Sequence, residues 1–169
     1  GYRDGYLRKS VVRDPLDRVN TGSEEMCRKV YDQTAALLDE GKIVGLVGGD
    51  HSTPLGFIKA LADRHEEFGI LHIDAHADLR EAYEGFKYSH ASIMYNVLQD
   101  VENVKKLVQV GIRDYCDDEV ALAKASEGRV VQFDDYLMAA ERFEGTTWAE
   151  QCTKIVEQLP EKVYVSFDI

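Results

Sequence analysis

The sequence has 169 residues, 44% of them hydrophobic and 30% charged, which is enough for one globular domain with a core. Its net charge of −11 argues against nucleic acid, whose binders carry basic patches, and suits small cationic ligands or metal ions as well as plain solubility. No apolar run reaches the length of a membrane span, and Cys27, Cys116 and Cys152 form no CxxC pair, so they read as reduced thiols of a cytoplasmic protein.

The first 20 residues are polar and are expected to be loosely held, ahead of a helix over 23–41. Met26, Val30, Leu37 and Leu38 give that helix its apolar stripe, Thr21 and Glu24 suit a capping box, and Gly41 suits the position after its end. The run KIVGLVGG (42–49) predicts the first of five strands. A helix follows over 53–67, with Leu55, Ile58, Leu61 and Ala62 on one stripe and Pro54 in its first turn. FGILHID (68–74), KLVQVGI (106–112), RVVQF (129–133) and KVYVSFDI (162–169) predict the other strands. Between them, 92–100, 118–128 and 147–160 read as helices, the last with a Thr147–Glu150 box. Near-continuous apolar strands alternating with helices imply an α/β, three-layer sandwich built on a mainly parallel sheet, in a single domain spanning 1–169.

In such a sheet, ligands bind at the carboxyl ends of the strands. Polar residues gather after three of the predicted strands: GGDHS (48–52), DAHAD (74–78) and the SFD ending at Asp168. His51, Asp74, His76, Asp78 and Asp168 therefore converge on one edge. GGDHS alone also fits a turn into a helix cap, and Asp50 suits either a hydrogen bond to a ligand histidine or a backbone cap. DAHAD is more specific. A carboxylate–imidazole–carboxylate series at steps of two offers three ligands from one segment, which share a face while the chain is extended. Oxygen-rich donors with two nitrogens and no sulfur favour Mn²⁺, Co²⁺ or Zn²⁺ over a Cys-rich structural zinc site, and three carboxylates allow a bridged pair of ions. His72 shares the parity of Asp74 and His76 but lies deeper in its strand, where a packed, hydrogen-bonded histidine is expected. His65, in an acidic helix end, is expected to be solvated.

GGDHS, HIDAHADLR and VYVSFDI resemble, in order and spacing, the three signature blocks of the ureohydrolases: arginase, agmatinase, formimidoylglutamase and relatives. LVQVGIRDY (107–115) resembles the segment between their second and third blocks, so the resemblance covers about 42–169. It implies an arginase-like fold and a site for two Mn²⁺ ions, with Co²⁺ or Zn²⁺ as substitutes. His51, Asp74, Asp78 and Asp168 would hold one ion, and His76, Asp74 and Asp168 the other. It also implies hydrolysis of a guanidino or formimino C–N bond, releasing urea or formamide, with Asp78 relaying a proton to the leaving amine. His90, in the loop after DAHAD, is the expected second proton carrier; its bland alternative is a loop histidine beside a Ser89 or Ser92 cap.

The expected substrate is a small cationic guanidino or formimino compound, and the expected assembly a homo-oligomer. The stretch LREAYEGFKYSH (79–90) shows no match to the arginase clamp for an α-amino acid, and the SHAS setting of His90 (89–92) resembles agmatinase sequences more than arginase. Arg80 suits either a substrate carboxylate or an ordinary ion pair. The family's S-F-D-x-D block carries a second Asp one position beyond Ile169, so the chain as given is expected to be a truncated, incomplete domain that is not itself a competent catalyst. Two rivals follow: a degenerate module without turnover, and a mononuclear zinc deacetylase of related fold. The absence of any His–His pair weighs against the second.

Overall fold

The apolar run FGILHI becomes β1 (Phe68–Ile73), the strand against which the rest of the sheet is registered. The computed structural model describes residues 9–168. β1 pairs in parallel with β2 (Val104–Ile112) on one side and with β4 (Val163–Phe167) on the other, and β3 (Val130–Asp134) extends the sheet beyond β2. The order is β3-β2-β1-β4, all parallel.

That order fixes which face each helix covers. The chain winds outward from β1 to β3 through α3 (Ile93–Asp100) and α4 (Asp117–Ala125), then returns across the sheet to β4 through α5 (Asp135–Phe143) and α6 (Trp148–Val156). Parallel crossovers keep one hand, so reversing direction moves the helices to the opposite face. Two separate apolar clusters confirm the two faces. Ile70, Leu107 and Ile112 pack with Leu55, Ile58, Ile93, Met94 and Val97. Val108 and Val110 pack with Ile155, Met138 and Leu159. The three-layer α/β expectation holds.

α1 (Lys9–Asp39) starts earlier than expected. Residues 9–20 are helical rather than loose, and 1–8 lie outside the described residues, as does Ile169. Thr21 is no cap: its hydroxyl donates to the Asp17 carbonyl one turn back, inside the helix. The helix ends as expected at Gly41, with its N–H on the Leu38 carbonyl and Lys42 N–H on the Leu37 carbonyl, which satisfies two terminal acceptors. α2 (Pro54–Ala62) keeps Pro54 in its first turn, and the Thr147–Glu150 box opens α6. α5 is an element the sequence reading passed over; the Asp134 side chain caps it by accepting from Leu137 N–H.

Residues 42–48 are the main departure. They have no strand partner among the described residues, and Ile43 and Val47 stand fully exposed. An apolar run becomes a strand only when another backbone answers its N–H and C=O groups. The described sheet instead ends at β4, whose Val163, Val165 and Phe167 are exposed. His65 also departs from expectation. It is half-buried, lies edge-on to Phe68, and its Nδ1 is buried without a hydrogen-bond partner. The three cysteines are free, and no helix among the described residues is long and apolar enough to cross a membrane.

α1 meets α2 at Gly56, where the backbones approach so closely that a Cβ would overlap the Cys27 carbonyl oxygen and the Tyr31 backbone nitrogen. Gly56→Ala is therefore expected to force the helices apart and lower stability by about 1–3 kcal/mol, read by denaturant unfolding. An unchanged midpoint would mean that α1 yields without cost.

Candidate metal centre

The winding reverses between β1 and β4, and a sheet of this kind opens a crevice at the carboxyl ends of the strands at that point. DAHAD leaves the end of β1 there, and Asp168 leaves the end of β4 beside it, its N–H donating to the Ile73 carbonyl. GGDHS supplies the third side. Asp50 accepts from Ser52 N–H at 2.8 Å, forming a turn that leads into α2 and presents His51 to the crevice. Of the two roles open to Asp50, the backbone one is seen.

His51 is the hub. Its Nδ1 lies 2.8 Å from Asp78 Oδ2, 3.2 Å from Asp74 Oδ2 and 3.4 Å from Asp168 Oδ2. Its Nε2 lies 2.8 Å from the hydroxyl of Ser166, two residues before Asp168 on β4. Asp74 is buried and fully engaged: Oδ2 accepts from His72 Nε2 at 2.9 Å, and Oδ1 from the His76 backbone N–H at 2.8 Å. His76 Nδ1 stands 3.2 Å from Asp74 Oδ1, with its side chain open to solvent. Three of the five expected residues, His51, Asp74 and Asp78, gather with His72, while Asp168 joins them through His51 and His76 through Asp74. Asp74, Asp78 and His51 form the floor of the site, and His76 and Asp168 its open side.

Among the described residues, His51, His72, Asp74 and Asp78 each offer one ligand atom within 4.8 Å of the others. His72, expected to be a packed histidine, is fully buried and hydrogen-bonded, yet it touches the cluster directly. The sequence reading missed three further contributors. Gln109 donates to His72 Nδ1 at 2.9 Å, Ser166 holds His51, and buried Glu119 accepts from Leu79 N–H at 2.9 Å, next to Asp78. A signal for Gln109 was present: it is the lone polar residue in the core of the run LVQVGI.

Backbone strain also marks the site. Asp78 sits at φ 55, a left-handed conformation that a non-glycine residue keeps only when its neighbours hold it. Its carbonyl accepts from Met94 and Tyr95 N–H at the start of α3, and Glu119 pins the next residue. The clamp aims the Asp78 carboxylate at His51.

His90 is not brought into this cluster. Ser89 caps its short 3₁₀ turn, and His90 Nδ1 lies 3.9 Å from Asp50 Oδ2 with the ring edge-on to Tyr83. It is exposed at the mouth. Arg80 is an ion-pair residue: its Nε is 3.5 Å from Glu119 Oε2, and its guanidinium lies over the Tyr83 ring.

Electrostatics follow the geometry. Burial opposes charge on His51, but hydrogen bonds to Asp74 and Asp78 outweigh it and push the imidazole up to about 9. Burial likewise opposes charge on Asp74, and donation from His51, His72 and the His76 backbone holds its carboxyl far below the usual carboxylate range. The site demands a cation. In the metal-free protein a proton on His51 supplies it. His51 is raised above its ordinary 6.5, so its contribution to stability is fully present below that value and is lost as pH rises through about 9. NMR titration of the metal-free protein is expected to give a His51 midpoint near 9, and Asp78→Asn to move it down. A midpoint near the ordinary value in the unsubstituted protein would break the assignment of His51 as the hub.

The comparisons with known proteins agree with this geometry. The family model described as "Arginase family" matches residues 6–169. The chain is 34% identical over 155 residues to an N(1)-aminopropylagmatine ureohydrolase of Thermus thermophilus, covering 92% of this chain and 49% of that protein. It is 33% identical over 105 residues to an agmatinase of Bacillus anthracis, covering 62% and 36%. The fold matches the crystal structure of an agmatine ureohydrolase of Thermoplasma volcanium with a TM-score of 0.67 at 22% identity, over 85% of this chain and 45% of that one. The chain thus spans about half the length, or less, of these relatives. A parallel sheet whose reversal point gathers the GGDHS, DAHAD and SFD blocks, matched along nearly its whole length by one family model, places this chain in the arginase family.

Proposed function

We propose that the protein carrying this chain hydrolyses the C–N bond of a small guanidino compound, in the manner of an agmatinase. The observation that carries this reading is the convergence of the Asp74, Asp78 and Asp168 carboxylates on Nδ1 of His51. The donor set fits hard divalent cations: it is oxygen-rich with imidazole nitrogens and contains no thiol. His51, Asp74, Asp78 and Asp168 would hold one ion, and His76, Asp74 and Asp168 a second. When bound, Mn²⁺ ions (or Co²⁺ or Zn²⁺ in their place) supply the Lewis acidity that lets water act as a nucleophile at neutral pH.

The chain's own residues do the rest. Guanidinium is planar, resonance-stabilised and cationic, and a crevice lined with carboxylates draws it in. Asp78 Oδ2 lies 2.8 Å from His51 Nδ1, and we assign Asp78 the transfer of a proton to the leaving amine. We assign the second proton-carrying role to His90, which is exposed at the mouth and outside the cluster of His51, Asp74 and Asp78. Arg80, held by Glu119 and Tyr83, is not offered to a substrate carboxylate, which favours an amine-tailed substrate over a guanidino acid.

Incubated with Mn²⁺ and a panel of agmatine, arginine, guanidinobutyrate and formimidoylglutamate, the intact protein is expected to release urea fastest from agmatine. Asp74→Asn is expected to remove most bound manganese by elemental analysis. No turnover of any substrate with two ions bound would defeat the reading, and a single bound zinc would favour a deacetylase-type site. His90→Asn is expected to lower kcat on the order of 10²-fold with metal content unchanged; loss of metal would make His90 a ligand instead.

A further inference from the structure

Each of the four strands contributes one polar side chain at the same register. His72 on β1 is paired with Gln109 on β2 and with Ser166 on β4, and Gln109 is paired with Gln132 on β3. The row crosses a sheet whose other inward positions there are apolar. Gln109 and His72 are fully buried. Burying an amide and an imidazole in a core is costly unless every hydrogen-bonding atom is answered, and here each one is.

The hydrogen positions in this row can be assigned. The Ala77 carbonyl can only accept, and it lies 2.6 Å from one terminal atom of Gln109, which must therefore be the amide nitrogen. The same nitrogen lies 2.9 Å from His72 Nδ1, so Nδ1 accepts and carries no hydrogen. The ring hydrogen is then on Nε2, which lies 2.9 Å from Asp74 Oδ2 and donates to it. At the other end, Gln109 Oε1 accepts from Gln132 Nε2 at 2.9 Å. All three bonds point the same way, from Gln132 through Gln109 and His72 to Asp74.

We infer that Gln132, Gln109 and His72 form a one-way hydrogen-bond relay that fixes His72 as the Nε2–H tautomer, making it a positioning residue for Asp74 and not a metal ligand, despite its place within the ligand cluster. Both ring nitrogens of His72 are spent, one on a hydrogen and one on Gln109. Asp74 Oδ2 receives one donor from within the sheet, from His72, and lies 3.2 Å from His51 Nδ1. Partners of this kind orient a ligating carboxylate and typically matter 10–100-fold for metal affinity. The part of this inference that concerns an ion rests on the function proposed above; the tautomer does not.

The test has two arms. Long-range ¹H–¹⁵N NMR of the metal-free protein reads the His72 tautomer without any substitution. A single Nε2–H form is expected, and a hydrogen on Nδ1 would overturn the relay. In the second arm, Gln109→Met, close in volume, removes the donor to Nδ1. It is expected to leave His72 in mixed tautomers and to weaken Mn²⁺ binding on the order of 10-fold by calorimetry. Gln132→Leu, at a less buried position, should give a smaller loss of the same sign and guards against a misfolded Gln109 variant. Unchanged Mn²⁺ affinity in both folded variants would overturn the positioning role. A wild-type protein that shows the Nε2–H tautomer but binds no Mn²⁺ would overturn the proposed function and leave the relay standing.

Discussion

Asp74, Asp78 and Asp168 each approach the same imidazole nitrogen of His51, at 2.8 to 3.4 Å, and two of the three are buried. Like charges this close cannot all remain ionised away from water unless a cation sits among them. Much of the structure follows from meeting that demand. The crevice exists because the chain reverses its winding between β1 and β4, which leaves their carboxyl ends adjacent with no helix between them. The loop before α2 brings His51 over this gap, and Ser166 fixes the far side of its ring. Protonated His51 and a divalent ion answer the same field, so the charge of the site is set by its carboxylates whichever cation is present.

Holding those carboxylates is a separate problem, solved with buried polar groups. Asp78 keeps a left-handed backbone because two N–H groups of α3 donate to its carbonyl and Glu119 accepts from the next N–H. Glu119 also caps α4 by accepting from Cys116 N–H, so one carboxylate ties the site loop to a helix on the core face. Asp74 is held from within the sheet by His72 and from its own loop by His76 N–H. These buried groups are satisfied by partners on different elements, so the site's geometry is tied to the integrity of the whole sheet.

The rim of the crevice carries Tyr83, His90, Asp50 and Arg80, and Arg80 is already committed to Glu119 and Tyr83. The groups left open at the rim are therefore acidic and aromatic rather than a free guanidinium.

The pattern of residues along the chain was enough to mark the sheet edge where these side chains gather. DAHAD follows a near-continuous apolar strand, GGDHS follows another apolar run, and ligand sites in parallel sheets lie where such strands end, so the five ligand candidates were legible as one set. Local signals also fixed the end of α1 at Gly41, Pro54 at the start of α2 and the Thr147–Glu150 box, because caps depend on residues a few positions apart. What stayed hidden was whatever depends on a distant partner. Residues 42–48 have the composition of a strand, but strand formation is decided by a neighbouring backbone, and none pairs with them among the described residues. Gln109 and Gln132 looked like isolated polar residues in two strands. Only the register between β1, β2 and β3 sets them in line with His72, and only the Ala77 carbonyl decides which way the Gln109 amide points. Sequence spacing determines which side chains share a face; pairing between strands decides which of them touch.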